Sequence, residues 1–437
     1  MTPGPGSAAT PRWRWGFAAV GAMALALAGC GVNPVTGERQ FMLISESEEI
    51  EIGEEHFGST QQAMGGRYSA DPELVAYVSE VGQRVAAESA RPELPYEFVV
   101  VNDSTPNAWA LPGGKIGIHR GLLTAMDNEA ELAAVLGHEV VHSAARHGAQ
   151  RMERGLVLQA GMVAVGIATR DHDLHALMVA GAGIGTALIS QQHSRSAELE
   201  ADYYGTRYMA KAGYDPEGAV TLQQKFVELA GKGERSWVEG LFASHPPSEQ
   251  RVQANRETAE TLRHEFPDRQ WRLGEEAYQE RVAVLHRNED AYRKLEEGRQ
   301  ALAEGDAARA LRLAEDAAEQ VPEEAAFHGL RGQALAEQGR DEQALAALDR
   351  AIELDPEFFQ TRLARGSLRR AAGDGDGARE DLERANALLP TAPAHYQLGR
   401  LAEERGETDA AARHYEIAAE SRTEVGERAR EALAELR

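Results

Sequence analysis

A single cysteine, Cys30, occurs in this chain, so no disulfide can form within it. Positive charge is scarce too: 46 lysines and arginines face 70 aspartates and glutamates, a net charge of −24. That balance repels nucleic acid and anionic lipid at long range, so no nucleic-acid partner is expected. A GxxxxGK[ST] loop is missing, which removes nucleotide-driven unfolding from the functions to consider. No apolar run reaches the roughly 20 residues that a bilayer-spanning helix needs. What remains is ordinary globular composition, 43% hydrophobic and 27% charged, and a length of 437 residues that leaves room for two or three domains.

The N-terminal stretch PRWRWGFAAVGAMALALAGC carries two arginines, an apolar run from Phe17 to Leu27 and then small residues. This is the pattern of an export signal. Its end, Leu27-Ala28-Gly29-Cys30, resembles the lipobox of a bacterial lipoprotein. The resemblance implies cleavage before Cys30, lipidation of its thiol and a membrane anchor of several acyl chains, more than the single chain that binds only marginally. Gly31, where an aspartate would favour the inner membrane, implies the periplasmic side of the outer membrane.

Toward the C-terminus a repeat emerges. Pro322, Pro356 and Pro390 stand 34 residues apart, as do Gly298, Gly332 and Gly366, then Gly305, Gly339 and Gly373, and Ala310, Ala344, Ala378 and Ala412. Small residues let two helices approach, glycine turns the chain and proline stops the second helix of each pair. This is the tetratricopeptide pattern, cleanest in AAFHGLRGQALAEQGRDEQALAALDRAIELDPE. A fourth copy slips by one residue, with Gly399 and Gly406 each one early, and EVGERAREALAELR reads as a capping helix. About four repeats plus this cap are expected over residues 289–437, stacked into an α-solenoid whose groove holds a peptide or partner.

Residues 31–288 read as mainly helical with a small β-sheet. Asp71-Pro72 opens a helix by cap and N1-proline logic. YEFVVVND predicts one strand and KIGIHRGLL another, after the Pro112-Gly113-Gly114 turn. Asp127-Asn128-Glu129 begins a further helix. Residues 155–169 and 174–190 are apolar runs rich in Gly and Ala, best read as a buried helical hairpin, with contact to lipid as the alternative.

The helix beginning near Asn128 carries His138 and His142 in AAVLGHEVVHSAARHG. Residues i and i+4 share a face, so both imidazoles can reach one ion. Glu139, rotated by about 100°, is placed to reach a bound water rather than to ligate. A zinc hydrolase needs a third protein ligand and an open fourth position. In SRSAELEADYYG, Glu198 and Asp202 lie four apart: Glu198 can close the set, with Glu200 as competitor, and Asp202 can accept from the far nitrogen of a histidine ligand. His147, nine residues after His138, falls on the opposite helix face. His172 and His175 read as solvated, and His193 as outside the ligand set.

HEVVH followed by SAELEADYYG, together with NPVTGERQFMLISESEE and NAWALPGGKIGIHRGLL, resembles the gluzincin metallopeptidases of the HtpX and CAAX-prenyl-protease family, and within it the soluble periplasmic, BepA-like branch. The resemblance covers nearly all of the chain after the lipobox. It implies one Zn2+ per chain on His138, His142 and Glu198, with Glu139 as general base and Asp202 behind a ligand. It also implies an edge strand in which Asn107, Ala108, Trp109 and Ala110 pair with substrate backbone. A His-Pro segment near the metal implies that His245 steadies the oxyanion or occupies the open position in a closed form.

The expected function is that of an ATP-independent zinc metalloendopeptidase degrading misfolded or stalled envelope proteins, with the repeats recruiting substrates or the envelope assembly machinery. The alternative is a periplasmic scaffold or chaperone for outer-membrane protein assembly whose peptidase is largely latent.

Overall fold

The computed structural model describes residues 30–154, 192–233 and 235–436. The export signal before Cys30, the apolar runs at 155–169 and 174–190, and His172 and His175 lie outside the described residues. The fold is mainly α with small sheets. Among the described residues no helix is long and apolar enough to cross a membrane.

The described chain opens with a two-stranded antiparallel ribbon, β1 (Cys30–Val32) and β2 (Arg39–Phe41). Helix α1 (Glu46–Ala63) follows, started by a reciprocal cap between Ser45 and Glu48. Helix α2 (Pro72–Ala86) begins where Asp71 accepts from the amides of Glu73 and Leu74, with proline at its first turn. Next come β3 (Glu97–Val101), β4 (Ala108–Leu111) and β5 (Lys115–His119), in the order β3-β5-β4. Strands β3 and β5 are parallel, whereas β4 pairs antiparallel with β5 and forms an edge. The strand expected over KIGIHRGLL stops at His119. Residues Arg120–Leu123 are helical, because Arg120 turns inward to Asn102 and Ser104 and stacks on Tyr292, 3.4 Å from its ring centre.

Helix α3 (Glu129–Ala144) is capped by Asn128 and buried at every position. It is the axis of the N-terminal part. Helix α4 (Arg195–Lys211) crosses it where Gly137 meets Gly205: a Cβ on Gly137 would sit 2.9 Å from the Gly205 carbonyl oxygen, and one on Gly205 would sit 2.8 Å from the His138 amide. The two backbones approach this closely only because neither residue has a side chain. Helices α5 (Glu217–Lys232) and α7 (Glu275–Arg287) pack on α3, and α6 (Glu249–Glu265) packs on α4 and α5.

Four helix pairs and a final helix follow. They are α8 (Glu289–Ala303) with α9 (Ala307–Gln320), α10 (Ala325–Glu337) with α11 (Asp341–Leu354), α12 (Phe359–Ala371) with α13 (Gly375–Leu388), α14 (Ala392–Glu404) with α15 (Thr408–Ala419), and α16 (Glu424–Glu435). The repeated glycines have two jobs. Gly305, Gly339, Gly373 and Gly406 turn between helices with φ of +83°, +69°, +85° and +74°. At Gly332 and Gly399 an added Cβ would meet Leu348 or Tyr415 of the paired helix at 2.6 Å.

The array is seated on the N-terminal part. Tyr292, Leu295, Phe327 and Leu330 belong to the same apolar core as the residues of α2 and α3. Glu324 accepts from Tyr292 at 2.7 Å and from Asn102 at 3.1 Å, both buried. Farther along, Gln62 donates to the Glu357 carbonyl and accepts from the Phe359 amide.

Candidate metal centre

The crossing at Gly137 and Gly205 sets His138 and His142 of α3 against Glu198 and Asp202 of α4. His138 Nε2 lies 3.0 Å from His142 Nε2. The Glu198 carboxylate reaches both rings, Oε2 to His138 Nε2 at 3.5 Å and Oε1 to His142 Nε2 at 3.4 Å. His245, brought back by the turn before Pro246, puts Nδ1 3.3 Å from His138 Nε2 and 3.1 Å from Glu198 Oε1. Ligands at about 2.0–2.1 Å around a tetrahedron stand about 3.3 Å apart, so these four donors have the spacing of one ion's coordination sphere. They form a buried group of potential metal ligands.

Glu139 stands outside that group. It is 2% exposed, its Oε1 lies 3.7 Å from His245 Nε2, and its Oε2 has no hydrogen-bond partner among the described residues. Burial pushes its carboxyl up, against the opposing pull of His245 and His138. Burial also acts to raise Glu198, but His245, His138 and Arg251 outweigh it and hold that carboxyl well below the usual range. Burial and the neighbouring His193, His138 and His147 rings push His142 well down, toward the neutral form that ligates. A cavity of about 40 Å³ opens beside Glu139 between Val135, Leu222, Phe226 and Leu241, room for a few waters but not for a peptide.

Asp202 accepts from His138 Nδ1 at 3.0 Å. It is itself gripped by Arg251, Nε to Oδ2 at 2.6 Å and Nη2 to Oδ1 at 2.8 Å, while Arg251 Nη1 holds Glu198 Oε2 at 2.8 Å. Burial works against ionisation of Asp202, yet Arg251 and His138 keep its carboxyl low. Arg251 is a functional neighbour that helical spacing does not announce. Its six-residue separation from His245 is the available signal, and it means nothing until α6 is folded against α4.

One histidine lies elsewhere than expected. His147 is not on the far face of α3: its Nδ1 is 2.7 Å from His142 Nδ1. The helix ends at Ala144, and Arg146 adopts a left-handed backbone with φ of 62°, so the chain reverses and helical residues 147–154 start afresh. Helical periodicity ceases to apply across such a reversal. The His193 ring lies against His142, tilted by 34° with 3.8 Å between centres. Glu200 does not join the four donors. Its Oε1 faces His147 Nε2 at 3.5 Å.

Residues 108–110 lie on the edge strand near α3. The His119 amide donates to the Asn107 carbonyl, and Trp109 lies opposite Gly117. By antiparallel alternation the backbone groups of Ala108 and Ala110 therefore face away from β5. The Trp109 side chain is core, packed on Phe57 with ring centres 6.0 Å apart. The Asn107 side chain accepts from the Ala108 amide. Cys30 begins β1, two residues before the exposed Val32.

A profile described as Peptidase family M48 matches residues 72–259, and one described as Tetratricopeptide repeat matches residues 295–357. The mitochondrial metalloendopeptidase OMA1 of Schizosaccharomyces pombe is 30% identical over 248 residues, covering 54% of this chain and 71% of that protein. The putative beta-barrel assembly-enhancing protease of Vibrio cholerae is 32% identical over 197 residues, 43% of this chain and 40% of that one. The beta-barrel assembly-enhancing protease of Escherichia coli K12 is 30% identical over 200 residues, 44% of this chain and 40% of that one. The chain thus spans less than half the length of these two bacterial relatives. Paired helical imidazoles, a converging carboxylate and these similarities lead to one conclusion: the chain belongs to peptidase family M48, as a metallopeptidase with C-terminal tetratricopeptide repeats.

Proposed function

We propose that this is an ATP-independent zinc endopeptidase of the bacterial envelope that cleaves misfolded or stalled proteins. In this reading residues 1–30 are a lipoprotein signal ending at the lipidated Cys30, residues 31–288 the peptidase and residues 289–437 the recruiting array, held at the periplasmic side of the outer membrane. The carrying observation is the convergence of Glu198 on the His138–His142 pair, within 3.5 Å of both rings. Two imidazoles and a carboxylate suit zinc better than harder or softer ions. The names of the two bacterial relatives support a role in outer-membrane protein assembly.

An ion held by His138, His142 and Glu198 supplies Lewis acidity toward water and the scissile carbonyl. Glu139 takes a proton at its carboxylate and delivers it to the leaving amine nitrogen. Its burial, which raises the carboxyl, strengthens it as the base that takes up that proton. Asp202 holds the proton on His138 Nδ1, so that Nε2 is free to ligate. The outward backbone groups of Ala108 and Ala110 add the substrate as a further strand.

The position of His245 favours latency. Its Nδ1 completes a four-donor cluster and its ring covers Glu139, so a peptide enters only after His245 withdraws. A protein resting in this closed form also accommodates the second reading, a scaffold for outer-membrane protein assembly whose peptidase acts only on demand. Metal content and casein hydrolysis measured together test the proposal. Wild type should carry one zinc per chain. Glu139→Gln should keep it and lose about 100-fold or more of the activity, whereas His245→Ala should keep it with raised basal hydrolysis. A wild-type chain without stoichiometric metal overturns the reading.

A further inference from the structure

We infer that His147 is a positioning residue for the His142 imidazole, and that Glu200 and Asn33 continue the line of polar contacts behind it. This rests on the metal reading above. His142 turns Nε2 toward His138 and Glu198, which leaves Nδ1 on the far side of the ring, 2.7 Å from His147 Nδ1. A neutral imidazole that gives Nε2 to an ion carries its proton on Nδ1. His142 therefore donates, and His147 Nδ1 accepts. That contact in turn leaves the His147 proton on Nε2, and Nε2 lies 3.5 Å from Glu200 Oε1. The same oxygen accepts from Asn33 Nδ2 at 3.2 Å.

The two rings of the pair are thus oriented differently. Asp202, an anion locked by Arg251, stands behind His138, whereas a second imidazole stands behind His142. The line ends on Asn33, one residue beyond β1, so the segment that follows Cys30 is joined through four side chains to the metal centre. The Arg146 reversal makes this possible: its left-handed backbone is held by a buried ion pair with Glu49 at 2.9 Å.

The nitrogens of His142, His147 and His193 are close enough to hold a second ion themselves. Two features argue against it. The Arg151 guanidinium lies 2.8–2.9 Å from the His193 ring nitrogens, a fixed positive charge where that cation would sit. The Nδ1 of His142 would also have to give up its proton.

The test uses the full chain loaded with Zn2+, with metal release followed against a chelator, and the visible spectrum of the Co2+-loaded chain. His147→Leu should speed metal release by tenfold to a hundredfold and shift the cobalt spectrum. His147→Asn, whose amide oxygen can accept where Nδ1 did, should recover most of the loss. Glu200→Ala, a change at a half-buried site that the fold tolerates, should move release in the same direction by a smaller factor, and Glu200→Gln should not. The inference is overturned if His147→Leu releases metal at the wild-type rate, if the leucine and asparagine variants are equally impaired, or if the wild type binds two ions per chain. A wild type that binds none overturns the metal reading itself, which separates the two failures.

Discussion

Arg146 carries the only positive φ outside glycine among the described residues. An L-residue costs about 1–2 kcal/mol in that conformation, and Glu49, fully buried and shared with Arg91 at 3.1 Å, holds it there. Arg146→Gly and Arg146→Ala both lose the Arg146–Glu49 pair and keep Arg91–Glu49, but glycine also relieves the left-handed backbone, which alanine does not. We expect the alanine variant to be about 2–4 kcal/mol less stable in urea titration, the glycine variant less affected, and both to release metal faster. Arg251→Leu would leave Glu198 and Asp202 as two unneutralised buried carboxylates, a loss of about 3–5 kcal/mol that thermal unfolding would register. At this scale the legible residues are those tied together by one helical period: His138 with His142, and Glu198 with Asp202. Arg251, His147 and His193 were not legible, because they arrive through a loop return or a left-handed turn, and arginine gives no warning of that turn.

The decisive contact between elements is the crossing of α3 and α4. Gly205→Ala adds one methyl 2.8 Å from the His138 amide, so the helices must separate by several tenths of an ångström. The expected result is about 1–3 kcal/mol of lost stability with weakened zinc binding, read by calorimetry and metal titration. Neither glycine stood out in the sequence, since a small residue inside a helix is unremarkable until its neighbour is known. The repeat helices were far more legible, because each glycine and proline recurs at a constant interval. They also contain a titrating pair. His395 Nδ1 is 3.0 Å from His414 Nδ1, and burial, then the His414 charge, pushes His395 down to about 4. Between pH 6.5 and that value the unfolded chain binds a proton that the folded one refuses, so stability falls as pH falls. Amide exchange in α14 and α15 should accelerate on acidification through this window, after correction for intrinsic rates, and His395→Leu should flatten the response.

Across the whole molecule, the first repeats and the peptidase part share one core rather than meeting at a linker. Tyr292 and Phe327 lie in the same apolar cluster as Val78 and Leu132, and Arg120, Asn102 and Glu324 tie the seam with buried polar bonds. A chain cut after Asn288 would bare that surface. It should aggregate or melt well below the full chain, and the full chain should lose α3 and α8 in a single calorimetric transition. The constant interval announced the array, but nothing in it announced the docking, which depends on aromatic side chains at positions that every repeat leaves free to vary. If the array recruits substrate as proposed, a solenoid fused this firmly to its neighbour would act as a gauge: a polypeptide gripped by the first two repeats would meet the cutting edge at a preset reach, and scission would fall a constant count of residues from the gripped segment, whatever the cargo spells.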